Sequence, residues 1–221
     1  PLAVLPSSQP SLPFEVRTAQ EEELVIGASN RMAYQLLLAG ASWPGSALWL
    51  HGPEGSGKSL FAQLWARRVG ARMLVSPEAE PKPETPGPCL LDPACLTHPA
   101  DQRALFHRLV RLSQEGGSLL LCARTAPADT RLELADLRSR LRALPTVGIE
   151  APDDLMLEAM LVQQFAMRQL RVDRKVIAYL LRRMPRSFAA THRIVAALDR
   201  QAREQQRTIT RPMAQQVLTA S

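Results

Sequence analysis

The sequence predicts an α/β domain built on a parallel sheet, followed by a small domain made only of helices. Short apolar runs alternate with segments of helical period along the first two thirds of the chain, and a glycine-rich loop separates the first run from the helix after it. After Pro152 the strand-like runs stop and only helical patterns follow. We therefore expect an extended arm at 1–22, an α/β domain at 23–151 and a helical domain at 152–221.

The arm is rich in Pro and Ser and then turns acidic, a composition typical of an extended segment. In the α/β part, five apolar runs are predicted strands: Ser46–His51, Ala71–Ser76, Cys89–Asp92, Ser118–Ala123 and Val147–Glu150. Four segments with apolar residues three and four apart are predicted helices: Ser29–Ala39, Leu60–Val69, Gln102–Gln114 and Leu132–Leu141. The segment Pro77–Pro88 holds five prolines and cannot be a helix.

The helical part is predicted to contain four helices: Asp154–Leu170, Asp173–Met184, Ser187–Gln206 and Arg211–Thr219. Asp173 and Thr210 are the predicted N-caps of the second and the fourth helix, because their side-chain oxygens can accept a bond from a free backbone N–H of the first turn.

Composition excludes several classes of protein. With 46% hydrophobic and 22% charged residues the chain is predicted to be a soluble globular protein, and no apolar run is long enough to span a membrane. The N-terminus lacks the features of a signal peptide. Three cysteines without a CxxC pair argue against a zinc ribbon or a disulfide scaffold and fit a reducing cytoplasm.

The formal net charge of +6 raises the question of nucleic-acid binding. Of the 27 basic residues 24 are arginines, and 19 of these are spread from Arg103 to Arg211 at helical spacings, often with Asp or Glu nearby. Solvated helix faces explain most of them, and direct sequence-specific DNA binding is the alternative interpretation.

The segment Gly52–Ser59 fits the pattern G-x-x-x-x-G-K-[ST] between a predicted strand and a predicted helix. Glycines allow backbone N–H groups to turn towards phosphates, and the helix N-terminus adds positive potential. Lys58 would neutralise the β and γ oxygens, and Ser59 would bind Mg²⁺. The motif predicts binding of a nucleoside di- or triphosphate; the alternative is a glycine-rich turn without a ligand.

A phosphate loop also needs an acidic metal partner at the end of a neighbouring strand. Asp92 stands in that place and is predicted to hold Mg²⁺ through a water molecule. The alternative is that its carboxylate only caps the end of the strand. The next residue is Pro93, where hydrolysing enzymes of this class have a second carboxylate, and Pro93 cannot act as a base.

Three blocks carry a resemblance to a known family. The segment Leu24–Tyr34 is similar to F-V-V-G-x-S-N-R-x-A, Ala123–Pro127 to S-D-R-P-P, and Leu134–Leu141 to L-x-x-R-L-x-S-R-F, all in the family of the bacterial replication initiator DnaA. The resemblance runs from Leu24 to the C-terminus. It implies an AAA+ fold with a helical lid, nucleotide between the two domains, and the plan of the short regulatory homologues that stop before the DNA-binding domain.

The resemblance also implies roles for single residues. Val25 and Ile26 would wall the adenine, unless they are ordinary core residues. Arg186 corresponds to the second sensor, with a solvated arginine as the alternative, and Arg140 to an arginine finger that acts in a neighbouring protomer's site. The expected nucleotide-binding residues are Val25, Ile26, Gly52, Pro53, Glu54, Gly55, Ser56, Gly57, Lys58, Ser59, Leu60, Asp92 and Arg186, with Ser59 and Asp92 for Mg²⁺ and with ADP or ATP as the nucleotide.

The arm contains a further resemblance. The segment from Gln9 to Phe14 is similar to the sliding-clamp-binding peptide Q-L-S-L-P-L, so Gln9, Ser11, Leu12, Pro13 and Phe14 are the expected clamp-binding residues. A Pro-stiffened strand loses little entropy on binding, and its apolar side chains can fill a pocket. The alternative is a tail whose Leu12 and Phe14 pack on their own domain.

These resemblances imply a regulator of replication initiation that is held on DNA by the sliding clamp and stimulates ATP hydrolysis by DnaA through Arg140. DnaA, the clamp and a second copy of the chain are the expected partners, DNA is reached through the clamp, and no membrane is involved. Pro93, and the absence of a polar first sensor at Cys122 and Ala123, predict weak or absent hydrolysis by the chain itself. A helicase- or clamp-loader-type ATPase and a DNA-targeting adaptor are the alternatives.

Overall fold

The structure, a computed structural model, describes residues 24–38, 43, 45–77 and 87–220. Five strands form one parallel sheet in the order β2-β3-β4-β1-β5. The strands are β1 Ala47–His51, β2 Arg72–Leu74, β3 Cys89–Leu91, β4 Leu119–Ala123 and β5 Thr146–Gly148. The first strand lies inside the sheet, with Trp49 opposite Leu121 of β4 and Thr146 of β5.

The three inner strands, β3, β4 and β1, are buried on both faces, which explains why they are nearly continuous apolar runs. Alternate side chains point to opposite faces. Leu48 and Leu50 belong to a buried cluster with the helices on one face, whereas Ala47 and Trp49 belong to a second cluster on the other. The predicted parallel α/β fold is thereby confirmed.

The helices of the α/β part are α1 Arg31–Leu37, α2 Lys58–Val69, α3 Pro99–Glu115 and α4 Ala135–Arg142. The first of these was predicted to end at Ala39, which lies outside the described residues. The third begins three residues earlier than predicted, because His98 and Asp101 form a capping box around a proline in the first turn.

The predicted start of α4 at Leu132 is wrong. The backbone N–H groups of Glu133 and Leu134 each donate to Oε1 of Gln102 at 3.0 Å, so the chain is held in a non-helical conformation until Ala135. The strand predicted at Val147–Glu150 is observed at Thr146–Gly148. It ends before Glu150 because the N–H of Glu150 donates to the Ser29 carbonyl and not to a neighbouring strand.

The helical part contains α5 Asp154–Met167, α6 Arg174–Leu181, α7 Phe188–Gln205 and α8 Arg211–Ala220, packed around an apolar core of their own. Asp173 accepts from the N–H of Lys175 at 2.7 Å, as predicted for an N-cap, and the Thr210 carbonyl accepts the first helical bond of α8 from Ala214. The fifth helix ends three residues before the predicted Leu170, and Gln169 follows it in the left-handed conformation at φ 57°.

The two parts are in direct contact. Val25 of the α/β part packs against Met156, Met160 and Phe188 of the helical part. Along the described portion of the chain, no helix has the length and apolar character needed to cross a membrane.

Candidate nucleotide-binding site

The glycine-rich loop lies at the carboxyl edge of the sheet. It leaves β1 at His51 and enters α2 at Lys58, and the residues that follow β3 and β4 meet it at the same edge because parallel strands end together. An open cavity of about 660 Å³ lies in front of the loop. Its lining is Trp49, Glu54, Gly55, Lys58, Ser59, Asp92, Pro93, Ala94, Cys122, Ala123, Arg124, Thr125 and Thr130.

The backbone of the loop depends on glycine at its closest approaches. Gly55 has φ +75°, and a Cβ there would lie 2.8 Å from Cβ of Ser187 in the helical part. A Cβ at Gly52 would lie 2.2 Å from the Ile149 carbonyl oxygen. The N–H of Phe188 donates to the Gly55 carbonyl at 2.8 Å, so the start of α7 rests on the loop. This contact could not be predicted from sequence patterns, because Gly55 and Phe188 are far apart in the sequence.

Lys58 turns back over its own loop. Its Nζ donates to the carbonyl oxygens of Gly52 at 2.6 Å and Pro53 at 2.7 Å, and approaches Ser56 Oγ at 3.5 Å. Burial lowers the pKa of the Lys58 ammonium. Ser56 is itself buried and Leu60 packs into the apolar cluster behind the loop, whereas Pro53 is exposed.

Ser59 and Asp92 line the same cavity as Lys58, as the motif predicts. Oδ1 of Asp92 accepts from the N–H of Ala94 at 2.8 Å and caps the 3-10 turn Pro93–Cys95, so this carboxylate does serve as a strand-end cap. A hydroxyl and a carboxylate are hard oxygen donors of the kind that Mg²⁺ prefers. Within the described ranges no three His, Cys, Asp or Glu side chains form a metal cluster.

The end of β4 offers no polar side chain at the first-sensor position. Cys122 is buried, and burial raises the pKa of its thiol to about 12, so it is neutral at ordinary pH. The next residue is Ala123. Beyond it Arg124 forms an ion pair of 3.2 Å with Glu54 of the loop, both largely exposed. The sequence interpretation missed this pair, although both residues follow strands that end at one edge.

Val25, Ile26 and Arg186, the residues expected to meet the nucleotide from outside the loop and the strand ends, are not part of the cavity lining. Val25 is covered by methionines and Phe188 of the helical part, as noted above, and Ile26 is 42% exposed. Arg186 forms an ion pair of 2.9 Å with Asp154 at the start of α5. None of the three lines the cavity in front of the loop.

Arg140 lies on α4, outside that cavity. Its guanidinium stands over the ring of Phe106 on α3, 5.4 Å from the ring centre, a contact that the sequence interpretation did not foresee. Arg138, two residues earlier, donates to the Leu132 carbonyl at 3.2 Å, and Arg142 is exposed. The expected clamp-binding residues, Gln9, Ser11, Leu12, Pro13 and Phe14, lie outside the described residues.

The helical part of the chain matches a known protein family. Residues 154–218 match the family model described as "Hda, lid domain". A search of curated protein sequences finds no match.

Solved structures match over most of the chain at low sequence identity. Domain III of the replication initiation protein DnaA from Thermotoga maritima matches with a TM-score of 0.74 and 16% identity, over 90% of this chain and 95% of that one. AMPPCP-bound DnaA from Aquifex aeolicus matches with a TM-score of 0.64 and 16% identity, over 86% and 71%. The Holliday junction branch migration motor RuvB from Thermotoga maritima matches with a TM-score of 0.67 and 14% identity, over 88% and 70%.

These neighbours establish the AAA+ fold, a parallel sheet with a phosphate loop followed by a helical lid. The match of the lid is the more specific finding, because it covers α5 to α7 and nearly all of α8. The lid region of the chain therefore matches the Hda lid family, and the chain as a whole has the fold of DnaA domain III.

Proposed function

We propose that this chain is a nucleotide-binding AAA+ regulator of replication initiation that acts on DnaA. The family of its lid and the likeness of its fold to DnaA support the process, and the phosphate loop supports the ligand. One of the DnaA structures that it resembles holds AMPPCP, which favours an adenine nucleotide, ADP or ATP, as the ligand here.

The loop and its surroundings supply the groups that such a nucleotide needs. Lys58 would exchange its two loop carbonyls for phosphate oxygens, while Ser59 and Asp92 would hold Mg²⁺, directly or through water. When bound, the ion screens phosphate charge. Val25 and Ile26 would meet the adenine, and Arg186 would leave Asp154 for the phosphates. The bond from Phe188 to Gly55 links the lid to the loop, so that occupancy of the loop would bear on the position of the lid.

Hydrolysis by the chain itself is expected to be weak. Pro93 is buried at the position where a water-polarising carboxylate would stand, and the adjoining strand ends in Cys122 and Ala123. Neither a proline nor a neutral buried thiol can accept a proton from an attacking water at neutral pH. This chemistry favours a nucleotide-gated regulator over a helicase- or clamp-loader-type ATPase.

The position of Arg140 carries the proposal that the chain acts on a partner's nucleotide. Arg140 lies on α4, outside the cavity in front of the chain's own loop, and its guanidinium is held over the Phe106 ring, which supports a role at a neighbouring site. A guanidinium supplied in trans to a transferring phosphoryl group can raise the rate by about 10³–10⁵-fold. We propose that Arg140 does this for ATP bound to DnaA, while the arm at 1–22 holds the chain on the DNA-loaded sliding clamp.

The test is ATP turnover by DnaA with the DNA-loaded clamp, with and without this chain. Arg140→Ala should abolish the stimulation while the chain stays folded and bound to nucleotide and clamp. Arg140→Lys should restore little, because a point charge lacks the planar fork that spans two phosphate oxygens. Arg142→Ala is the matched control, since it removes an exposed arginine from the same helix.

Full stimulation by Arg140→Ala would reject the finger, and a loss caused by Arg138→Ala alone would move it by two residues. Turnover by the chain without DnaA separates the two functions, since a loader-type ATPase would hydrolyse ATP appreciably alone.

A further inference from the structure

The charge of the chain is unevenly distributed. Residues 152–221 contain 12 Lys or Arg and 6 Asp or Glu, so the helical domain carries the whole formal charge of +6. The rest of the chain has 15 of each and is formally neutral. A surplus of this kind gives one domain a positive potential, which attracts polyanions.

Part of the surplus gathers around one aromatic ring. A groove of about 570 Å³ opens where α6 and α8 begin side by side, joined by the bridge between Val172 and Ile209. Its lining, here called the Tyr179 groove, is Asp173, Lys175, Val176, Ala178, Tyr179, Arg182, Arg183, Ile209, Thr210 and Arg211. The guanidiniums of Arg183 and Arg211 lie over the Tyr179 ring, 4.3 and 4.9 Å from its centre.

The cations of this groove have no acidic partner. Lys175, Arg182, Arg183 and Arg211 form no ion pair with any residue that the structure describes, in contrast to Arg203, which is bound to Asp199 on α7. The groove contains one carboxylate, Asp173, and its Oδ1 is bonded to a backbone N–H as a helix cap. Four positive charges and one negative charge therefore face solvent together.

The stacking on Tyr179 leaves a particular kind of surface. A guanidinium that lies over a ring keeps its N–H groups free at the edges, in the fork geometry that matches phosphate oxygens. Stacking also limits the freedom of both side chains, so less entropy is lost when they bind. The larger aliphatic side chains of the groove, Val176 and Ile209, are buried, so little apolar surface is offered to a membrane or to an apolar protein interface.

The stacking of two guanidiniums on Tyr179 also favours duplex over single-stranded nucleic acid as the ligand. Single strands are held largely by base stacking on exposed aromatic rings. Tyr179 is half-buried and already carries two guanidiniums over its ring, which leaves backbone phosphates as the natural target. We propose that the Tyr179 groove binds the phosphodiester backbone of duplex DNA directly and without regard to sequence. This contact is separate from the proposed attachment to DNA through the clamp.

The test uses the full chain without clamp or DnaA, and a fluorescent DNA duplex of about 30 base pairs, with affinity measured by anisotropy between about 50 and 200 mM salt. Arg183→Gln combined with Arg211→Gln removes both stacked guanidiniums. Log affinity falls with log salt, and each phosphate contact adds about one to the magnitude of that negative slope. The magnitude should therefore decrease by about 2 in this double variant. Affinity at the lowest salt should fall about tenfold or more.

The matched control is Arg193→Gln combined with Arg200→Gln, which removes the same charge from exposed positions on α7. This pair should keep most of the slope. Tyr179→Phe should behave as the unmodified chain, since a phenyl ring can hold both guanidiniums, whereas Tyr179→Leu should lose affinity. Thermal unfolding verifies that each variant is folded.

Three outcomes would overturn the proposal. The first is equal loss in the two double variants, which would mean that only net charge matters. The second is the absence of duplex binding at about 50 mM salt. The third is binding of polyglutamate, or of vesicles containing phosphatidylglycerol, that depends on Arg183 and Arg211 while the duplex is ignored; either result would assign the groove to an acidic protein or a lipid surface.

Discussion

At the scale of single residues, Lys58 is the side chain on which the nucleotide site depends. Its ammonium group rests on two carbonyl oxygens of its own loop and lines the cavity together with Ser59. The remaining positive potential of the loop comes from its backbone N–H groups, which are fixed in place. Lys58 is the one side chain of the loop itself that carries a positive charge and can follow a phosphate as the ligand enters.

We therefore expect Lys58→Ala to lower the affinity for both ADP and ATP by at least about tenfold, which corresponds to about 1.4 kcal/mol of binding free energy. Calorimetric titration measures the effect. Lys175→Ala is the control, because it removes a lysine from the Tyr179 groove on the helical part. Unchanged nucleotide binding by the Lys58 variant would contradict the assignment of the phosphate loop.

At the scale of elements, the start of α7 is the part of the lid that the loop touches. Ser187 caps this helix by accepting from the N–H of Ala190, and the next residue, Phe188, donates to the Gly55 carbonyl. Two features therefore allow Gly55 to lie close to the lid. Its carbonyl accepts the backbone bond from Phe188, and it has no Cβ that would meet Ser187. A side chain there would force the two domains apart.

Gly55→Ala should therefore destabilise the protein by more than its backbone conformation explains. A non-glycine residue at positive φ costs about 1–2 kcal/mol by itself. Gly70→Ala provides that reference, since Gly70 has φ +66° and nothing within 4 Å of the position of a Cβ, whereas at Gly55 the Cβ would lie 2.8 Å from Ser187. Urea unfolding gives both free energies, and equal losses would contradict a tight contact between loop and lid.

The elements themselves were largely predictable, and the reasons are local. The inner strands are short apolar runs because both of their faces are covered, and the phosphate loop is a contiguous motif whose glycines and lysine act together. The start of α4 was not predictable, since the Gln102 side chain that delays it lies about 30 positions earlier in the chain. The same holds for the stacking of Arg140 on Phe106 and for the pair of Arg124 with Glu54.

At the scale of the whole molecule, the sheet and the lid have separate apolar cores and touch each other along one shared surface. The contacts across it include those of Val25 with Met156, Met160 and Phe188, and the bond from Phe188 to Gly55. Domains joined by a surface of this kind can change their relative position more readily than their interiors. A ligand in the loop could therefore alter which faces a partner meets, without unfolding either core.

The arm provides the last prediction, and it concerns how the folded body is delivered to its partner. A tether raises the effective concentration of the body near whatever the arm binds, so the body need not bind the clamp at all. Deleting 1–15, or changing Gln9, Leu12 and Phe14 together to Ala, should abolish clamp binding and the clamp-dependent stimulation of DnaA.

The midpoint of thermal unfolding should hardly move in these variants, because the proposal has the arm bind the clamp and not pack against the folded body. Surface plasmon resonance on immobilised clamp measures the binding, and Ser7→Ala with Ser8→Ala is the control in the same arm, since it leaves the proposed motif intact. If stability fell while clamp binding survived, Leu12 and Phe14 would be core residues of their own domain, and the tether would have to be sought elsewhere on the protein.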